Sequence, residues 1–294
     1  MATTVLRILI SAIIAYICFI AILRLWEKGK QFIIKRLAIA CDKDFENKQY
    51  EKEIKKLKWL IWLNPISANY YNRAGKLGNL KQFDDAIKDV SKAININPNN
   101  MYYYMRRAYY YDLTEKPDLA IEDYNSAINL KFNSKDDYKL FLFRAQSLED
   151  KGEYQLAIND YDIAIKNIPE EIEAYTGKGF CLFNLEKYED ALSCYQKAIE
   201  LDDKNYLAFH NRGELFYHLK KGNEALQDLN KALELKPTTE NSYLFLWLGD
   251  LYAVVEKDNE KAMNFLQKAK ELGNKNAQEH IDELNSTGTI VLEW

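Results

Sequence analysis

Helix breakers and metal ligands are scarce in this chain. Only 5 prolines and 11 glycines are spread over 294 residues, which excludes collagen-like and linker-rich polymers. So few turn formers also argue against an all-β fold with many tight turns. The four cysteines (Cys18, Cys41, Cys181, Cys194) form no CxxC pair, and the three histidines (His210, His218, His280) are not grouped. A disulfide scaffold and a structural zinc site are therefore not expected, and the thiols are read as small buried hydrophobes. Neither charge sign dominates, with 40 Lys and Arg against 44 Asp and Glu. A phosphate-backbone binder shows a basic surplus, so nucleic acid is not an expected partner.

What is present is apolar and aromatic. Hydrophobic residues make up 48% of the chain, enough to bury a core, and tyrosine alone supplies 21. Near the N-terminus, Ile8 to Leu23 run without a charge. With Val5, Leu6, Leu25 and Trp26 the stretch reaches the length that crosses a bilayer, while Arg7 and Arg24 snorkel outward. A cleaved signal peptide would need small residues near the end of the run, where Phe19 or Leu23 stands instead. Residues 5–26 are accordingly expected to be an uncleaved membrane anchor. Arg24, Lys28, Lys30, Lys35 and Arg36 follow it, so the positive-inside bias puts the C-terminal part on the cytoplasmic side.

From about residue 34 onward one period organises the chain. Ala86, Ala120, Ala157, Ala191, Ala225 and Ala262 recur every 34 or 37 residues, and each is followed seven residues later by a second alanine. Ala74, Ala108, Ala145, Gly179 and Gly213 stand twelve residues earlier, and Gly249 fills that place with one extra residue between. A large residue (Val90, Tyr124, Tyr161, Tyr195, Leu229 or Leu266) sits between each alanine pair. Small residues recur where two helices approach closely, and the large one fills the space beside them. Pro65, Pro98, Pro169 and Pro237 fall just past the second helix of a unit, and Pro117 at the start of one.

At these residues the chain resembles the tetratricopeptide repeat family, whose unit is a 34-residue helix–turn–helix. The resemblance implies an all-α, right-handed solenoid. Residues 1–30 are the expected anchor, 31–66 a degenerate first repeat with Glu53 in place of its alanine, 67–275 six repeats, and 276–294 a capping helix and short tail. It implies little about biochemistry, because such repeats bind diverse partners.

No catalytic constellation appears: GxSxG, GxxxxGK, GxGxxG before a helix and HExxH are all missing. Nothing calls for a cofactor or metal, and an enzyme is not expected. His210 and His218 lie roughly 80° apart on a helix and do not converge on one ligand. In the family, some members grip the acidic C-terminus of chaperones with a clamp of lysine, asparagine and arginine. Ala38, Asp42 and Tyr102 stand at clamp positions, where only Asn72 and Arg106 match, so a chaperone C-terminus is disfavoured. The family's concave surface is lined by the first helices. Carried over, that surface comprises Tyr71, Asn72, Tyr102, Met105, Arg106, Tyr109, Phe143, Phe180, His210, Asn211, Tyr243 and Trp247. Aromatics of this kind suit a protein or peptide partner, and Tyr102, Arg106, Phe143 and Trp247 are expected to be partly exposed. The expected function is a membrane-anchored, non-catalytic scaffold; the alternatives are a fixed subunit of a membrane complex and a secreted or periplasmic repeat protein.

Overall fold

A computed structural model describes residue 30, residues 50–130 and residues 135–290. The expected anchor at 5–26, Cys18, Cys41, Ala38 and Asp42 lie outside the described residues. Among the described residues no helix is long and apolar enough to cross a membrane.

The chain divides into two units, Met1–Lys131 and Phe132–Trp294. The first contains α1 (Tyr50–Leu63), α2 (Ser67–Asn79), α3 (Phe83–Ile96), α4 (Met101–Asp112) and α5 (Pro117–Ile128). In the second, a 3-10 turn (Lys135–Tyr138) leads into α6 (Lys139–Asp150), followed by α7 (Tyr154–Asn167), α8 (Ile172–Asn184) and α9 (Tyr188–Leu201). Then come α10 (Tyr206–His218), α11 (Gly222–Leu235), α12 (Ser242–Leu251), α13 (Asn259–Glu271) and α14 (Ala277–Thr287). The described fold is all-α, a succession of antiparallel helix pairs.

The periodic small residues make these pairs. All twelve repeat alanines, together with Ala74, Ala108 and Ala145, are fully buried, and the large residues between them are nearly so. The approach is close at Gly179, where a Cβ would stand 2.5 Å from Cε1 of Tyr195. Helix ends follow local chemistry. Asn100 accepts from the Tyr102 amide at 3.0 Å, Asn205 from that of Ala208 at 2.9 Å, and Asn241 from that of Tyr243 at 3.1 Å. Pro117 occupies the first turn of α5, where its missing amide costs nothing.

The turn inside each pair repeats as well. Lys81, Glu115, Glu186 and Lys220 all adopt left-handed φ between 56° and 59°, and Gly152 holds the same place at 80°. The next amide then donates back to a carbonyl of the last helical turn, as in Gln82 to Leu77 and Lys221 to Phe216, both at 2.9 Å. In the last pair the extra residue seen in the sequence becomes a π-helical turn, Tyr252–Glu256, closing α12 before left-handed Lys257. A π turn is how a helix absorbs one inserted residue without losing its face.

A charge ladder runs through the same register. Arg73, Arg107, Arg144 and Arg212 each donate two hydrogen bonds to the aspartate sixteen residues on (Asp89, Asp123, Asp160, Asp228) at 2.6–2.9 Å. The aspartates are buried and each arginine ties the first helix of its pair to the second. The α8–α9 pair breaks the ladder. Lys178 and Cys194 stand at its two positions, and Lys178 turns back to Asp162 at 2.6 Å.

Candidate functional site

The expected groove residues all lie on the first helices of their pairs. The two units arrange them differently.

In the first unit the site centres on Arg106. Its guanidinium lies 4.0 Å from the ring centroid of Tyr71, close enough for a cation–π contact. Gly75 makes room for it, since a Cβ there would stand 2.6 Å from Nη1 of Arg106. Tyr71 also packs on Tyr103 at 4.9 Å. Burial pushes the Tyr71 hydroxyl above its ordinary value, with Arg106 pulling the other way. Among the described residues no carboxylate pairs with Arg106, whereas its sequence neighbour Arg107 is taken up by Asp123 and Ser91. Asn72, Tyr102 and Tyr109 are exposed around this cation, and Met105 is half-buried. The arrangement offers one positive charge in an aromatic rim.

The second unit presents carboxyls instead. Phe143 and Phe180 are half-buried, with Tyr154 edge-on to Phe180 at 6.3 Å. Glu149 accepts from the Tyr161 hydroxyl at 2.7 Å and from Sγ of Cys181 at 3.7 Å. Burial raises the Glu149 carboxyl, although both of those donors oppose the shift. On α10, burial alone raises Glu214 to about 7. The thiols are weak acids here. Burial pushes Cys194 up to about 11 and raises Cys181 further, so neither supplies a thiolate nucleophile at neutral pH.

Two expected groove residues are buried, contrary to the sequence reading. Trp247 is only 9% exposed and His210 only 7%. Trp247 is enclosed by Tyr217 at 5.8 Å, His210 at 5.8 Å, Tyr243 at 5.9 Å and His218 at 6.5 Å. His210 is clamped between Asn211 and Asn241, with its ring nitrogens 3.1 and 2.8 Å from their side chains. Burial therefore lowers the tendency of His210 to protonate. Trp247 is covered by side chains of the preceding helix pair and His210 by Asn241 and Trp247 of the following one, which the register of a single helix does not show. Asn211 is half-buried and Tyr243 remains 55% exposed above Trp247. His210 and His218 both pack against Trp247. Beneath them, fully buried Asp250 accepts from Tyr217 at 2.8 Å and lies 2.6 Å from Nδ1 of His280, and it raises the His280 ring above its ordinary value. Among the described residues no group of three or more His, Cys, Asp or Glu is placed to hold a metal.

Tandem helix pairs with invariant interiors and variable first-helix faces define a helical-repeat protein. Four of these units match tetratricopeptide repeat profiles: residues 172–205 match one of that name, and residues 68–100, 102–134 and 206–239 match another. The chain is 34% identical over 96 residues to the Small glutamine-rich tetratricopeptide repeat-containing protein 2 of Saccharomyces cerevisiae, covering 32% of this chain and 28% of that one. It is also 34% identical over 85 residues to the Hsp70-Hsp90 organising protein of Plasmodium falciparum, covering 28% and 15%. The chain thus spans less than a third of the length of these curated relatives. A solved tetratricopeptide repeat protein from Parabacteroides merdae superposes with TM-score 0.67 at 17% identity, covering 85% of this chain and 98% of that one. At that identity the likeness concerns the fold alone.

Proposed function

We propose that this chain is a non-catalytic scaffold that holds a protein or peptide segment against its first-helix faces. The observation that carries the reading is Arg106, stacked on Tyr71 in an open aromatic rim with no carboxylate partner among the described residues. A cation presented this way suits a carboxylate on a partner, and Tyr102 and Tyr109 supply large contact area at low entropic cost. The residues 5–26 tether the repeats to a membrane, with the repeats on the cytoplasmic side.

A chaperone C-terminus is not the partner favoured. A relative is named for Hsp70 and Hsp90, and Asn72 and Arg106 match two positions of the clamp. Tyr102, however, stands where a clamp needs a lysine, and one cation grips two carboxylates poorly. The test is site-specific photo-crosslinking from Tyr102 and, separately, from Lys92, an exposed residue of the second helix α3, in native membranes. A discrete adduct from Tyr102 that is lost in Arg106→Glu, while the variant keeps its helical circular dichroism, supports the reading. Equal adducts from both positions would overturn it.

A further inference from the structure

Helix α1 leaves unpartnered a face of unusual composition. Its inner side, Leu57, Leu60 and Ile61, is buried, and Glu53 is fully buried 2.8 Å from the Lys76 ammonium. Its outer side carries Trp59 and Trp62, which are 64% and 73% exposed and pack edge-on to each other at 6.0 Å. Tryptophan is seldom left so open in a folded chain. Lys52, Lys55 and Lys58 are exposed beside them, and at 100° per residue all five side chains fall within one third of the helix circumference. The one exposed acid of α1 is Glu51.

We propose that this Trp–Lys face is an interfacial contact with an anionic membrane leaflet. Indole rings settle at the headgroup level, and lysines beside them are drawn to acidic lipid. Charge decides among the possible occupants. A second copy would bring lysines against lysines. The stretch 1–49 of the chain is itself richer in Lys and Arg than in Asp and Glu, so it is a poor electrostatic match. Only residues 27–49 separate the apolar run ending near Trp26 from Tyr50, which keeps α1 within reach of a bilayer that holds that run. In this respect the inference rests on the tether proposed above. The contact orients the first repeats against the surface instead of leaving them on a free leash.

The experiment uses the full chain reconstituted in phosphatidylcholine vesicles with and without phosphatidylserine, and reads tryptophan quenching by brominated acyl chains. Quenching is expected to rise with phosphatidylserine. In Trp59→Phe/Trp62→Phe it should fall at least about twofold, because interfacial indoles have been removed. In Lys52→Glu/Lys55→Glu/Lys58→Glu the phosphatidylserine dependence should vanish with both tryptophans still in place. The tether is scored separately by resistance to carbonate extraction. Release of the parent chain by carbonate would sink the tether, whereas retention with quenching unchanged in both variants overturns the α1 face. Blue-shifted but unquenched emission from Trp59 and Trp62 also overturns it, since protein and not lipid would then cover them.

Discussion

The two units share one interior and differ at the face. Each has the same buried alanines, the same left-handed turn between paired helices and the same arginine–aspartate ladder. On the first-helix side the first unit shows an open cation, Arg106, among tyrosines. The second shows carboxyls raised by burial, Glu149 and Glu214, and roofs its aromatic cluster with its own side chains. A repeat contacts mainly its neighbours, so its interior is fixed by the need to stack while its face is free to vary.

The largest effects should come from the shared interior. Removing Asp160 leaves the Arg144 guanidinium poorly solvated without its two hydrogen bonds, and Asp160→Ala should cost about 3–5 kcal/mol by urea unfolding. Lys178, at the broken rung, pairs with an aspartate that is half exposed, so Lys178→Ala should cost less than about 1 kcal/mol. Trp247→Ala belongs with the first group, at about 3–5 kcal/mol, because its ring is enclosed. Tyr243→Ala, on the same helix but exposed, should barely move the midpoint. Equal losses at Trp247 and Tyr243 would place both in the core and erase the distinction drawn here.

Much of the interior was legible in the sequence, because the alanine period and the proline register each state a packing requirement. The ladder was equally present, since Arg73, Arg107, Arg144 and Arg212 recur at the repeat spacing with aspartates sixteen residues on. It went unread because that separation crosses a turn, and no single-helix pattern predicts it. The face was legible only in part. Tyr102, Tyr109 and Tyr243, placed on the open face by register, are exposed. Register failed for Trp247 and His210, because whether a first-helix residue is open depends on what the neighbouring pair reaches across with.

Glu214 offers a pH-dependent test of the second unit. Its carboxyl titrates near 7 in the folded chain against an ordinary 4.5, so the folded state keeps a proton that the unfolded state has lost. Stability should therefore fall as pH rises through that window and level off above it. Glu214→Gln should remove this loss, making the variant more stable than the parent by up to about 3 kcal/mol at pH 8 and nearly equal to it at pH 4. A parallel pair of stability curves would show that Glu214 is solvated. Arg106→Ala in the first unit should behave differently, costing about 1 kcal/mol of stability from the lost Tyr71 contact, the same amount at either pH. Its effect should appear as about 1–3 kcal/mol of lost partner binding.

The smallest effect sharpens the comparison at the turns. Lys81 and Glu115 in the first unit, and Glu186 and Lys220 in the second, hold left-handed φ that a side chain adopts at a cost of about 1–2 kcal/mol. Gly152 occupies the same place without that strain. Glycine relieves it but also loosens the unfolded chain, which offsets part of the gain. Glu115→Gly and Lys220→Gly should each raise the unfolding midpoint by the equivalent of about 0.5–1 kcal/mol, and Gly152→Ala should lower it by a similar amount. The amides following these residues, on Lys116, Lys221 and Glu153, donate to helix carbonyls in both units, so their hydrogen-exchange protection should stay unchanged. A gain in one unit alone would mean that the turns, unlike the ladder, are not interchangeable between the two halves.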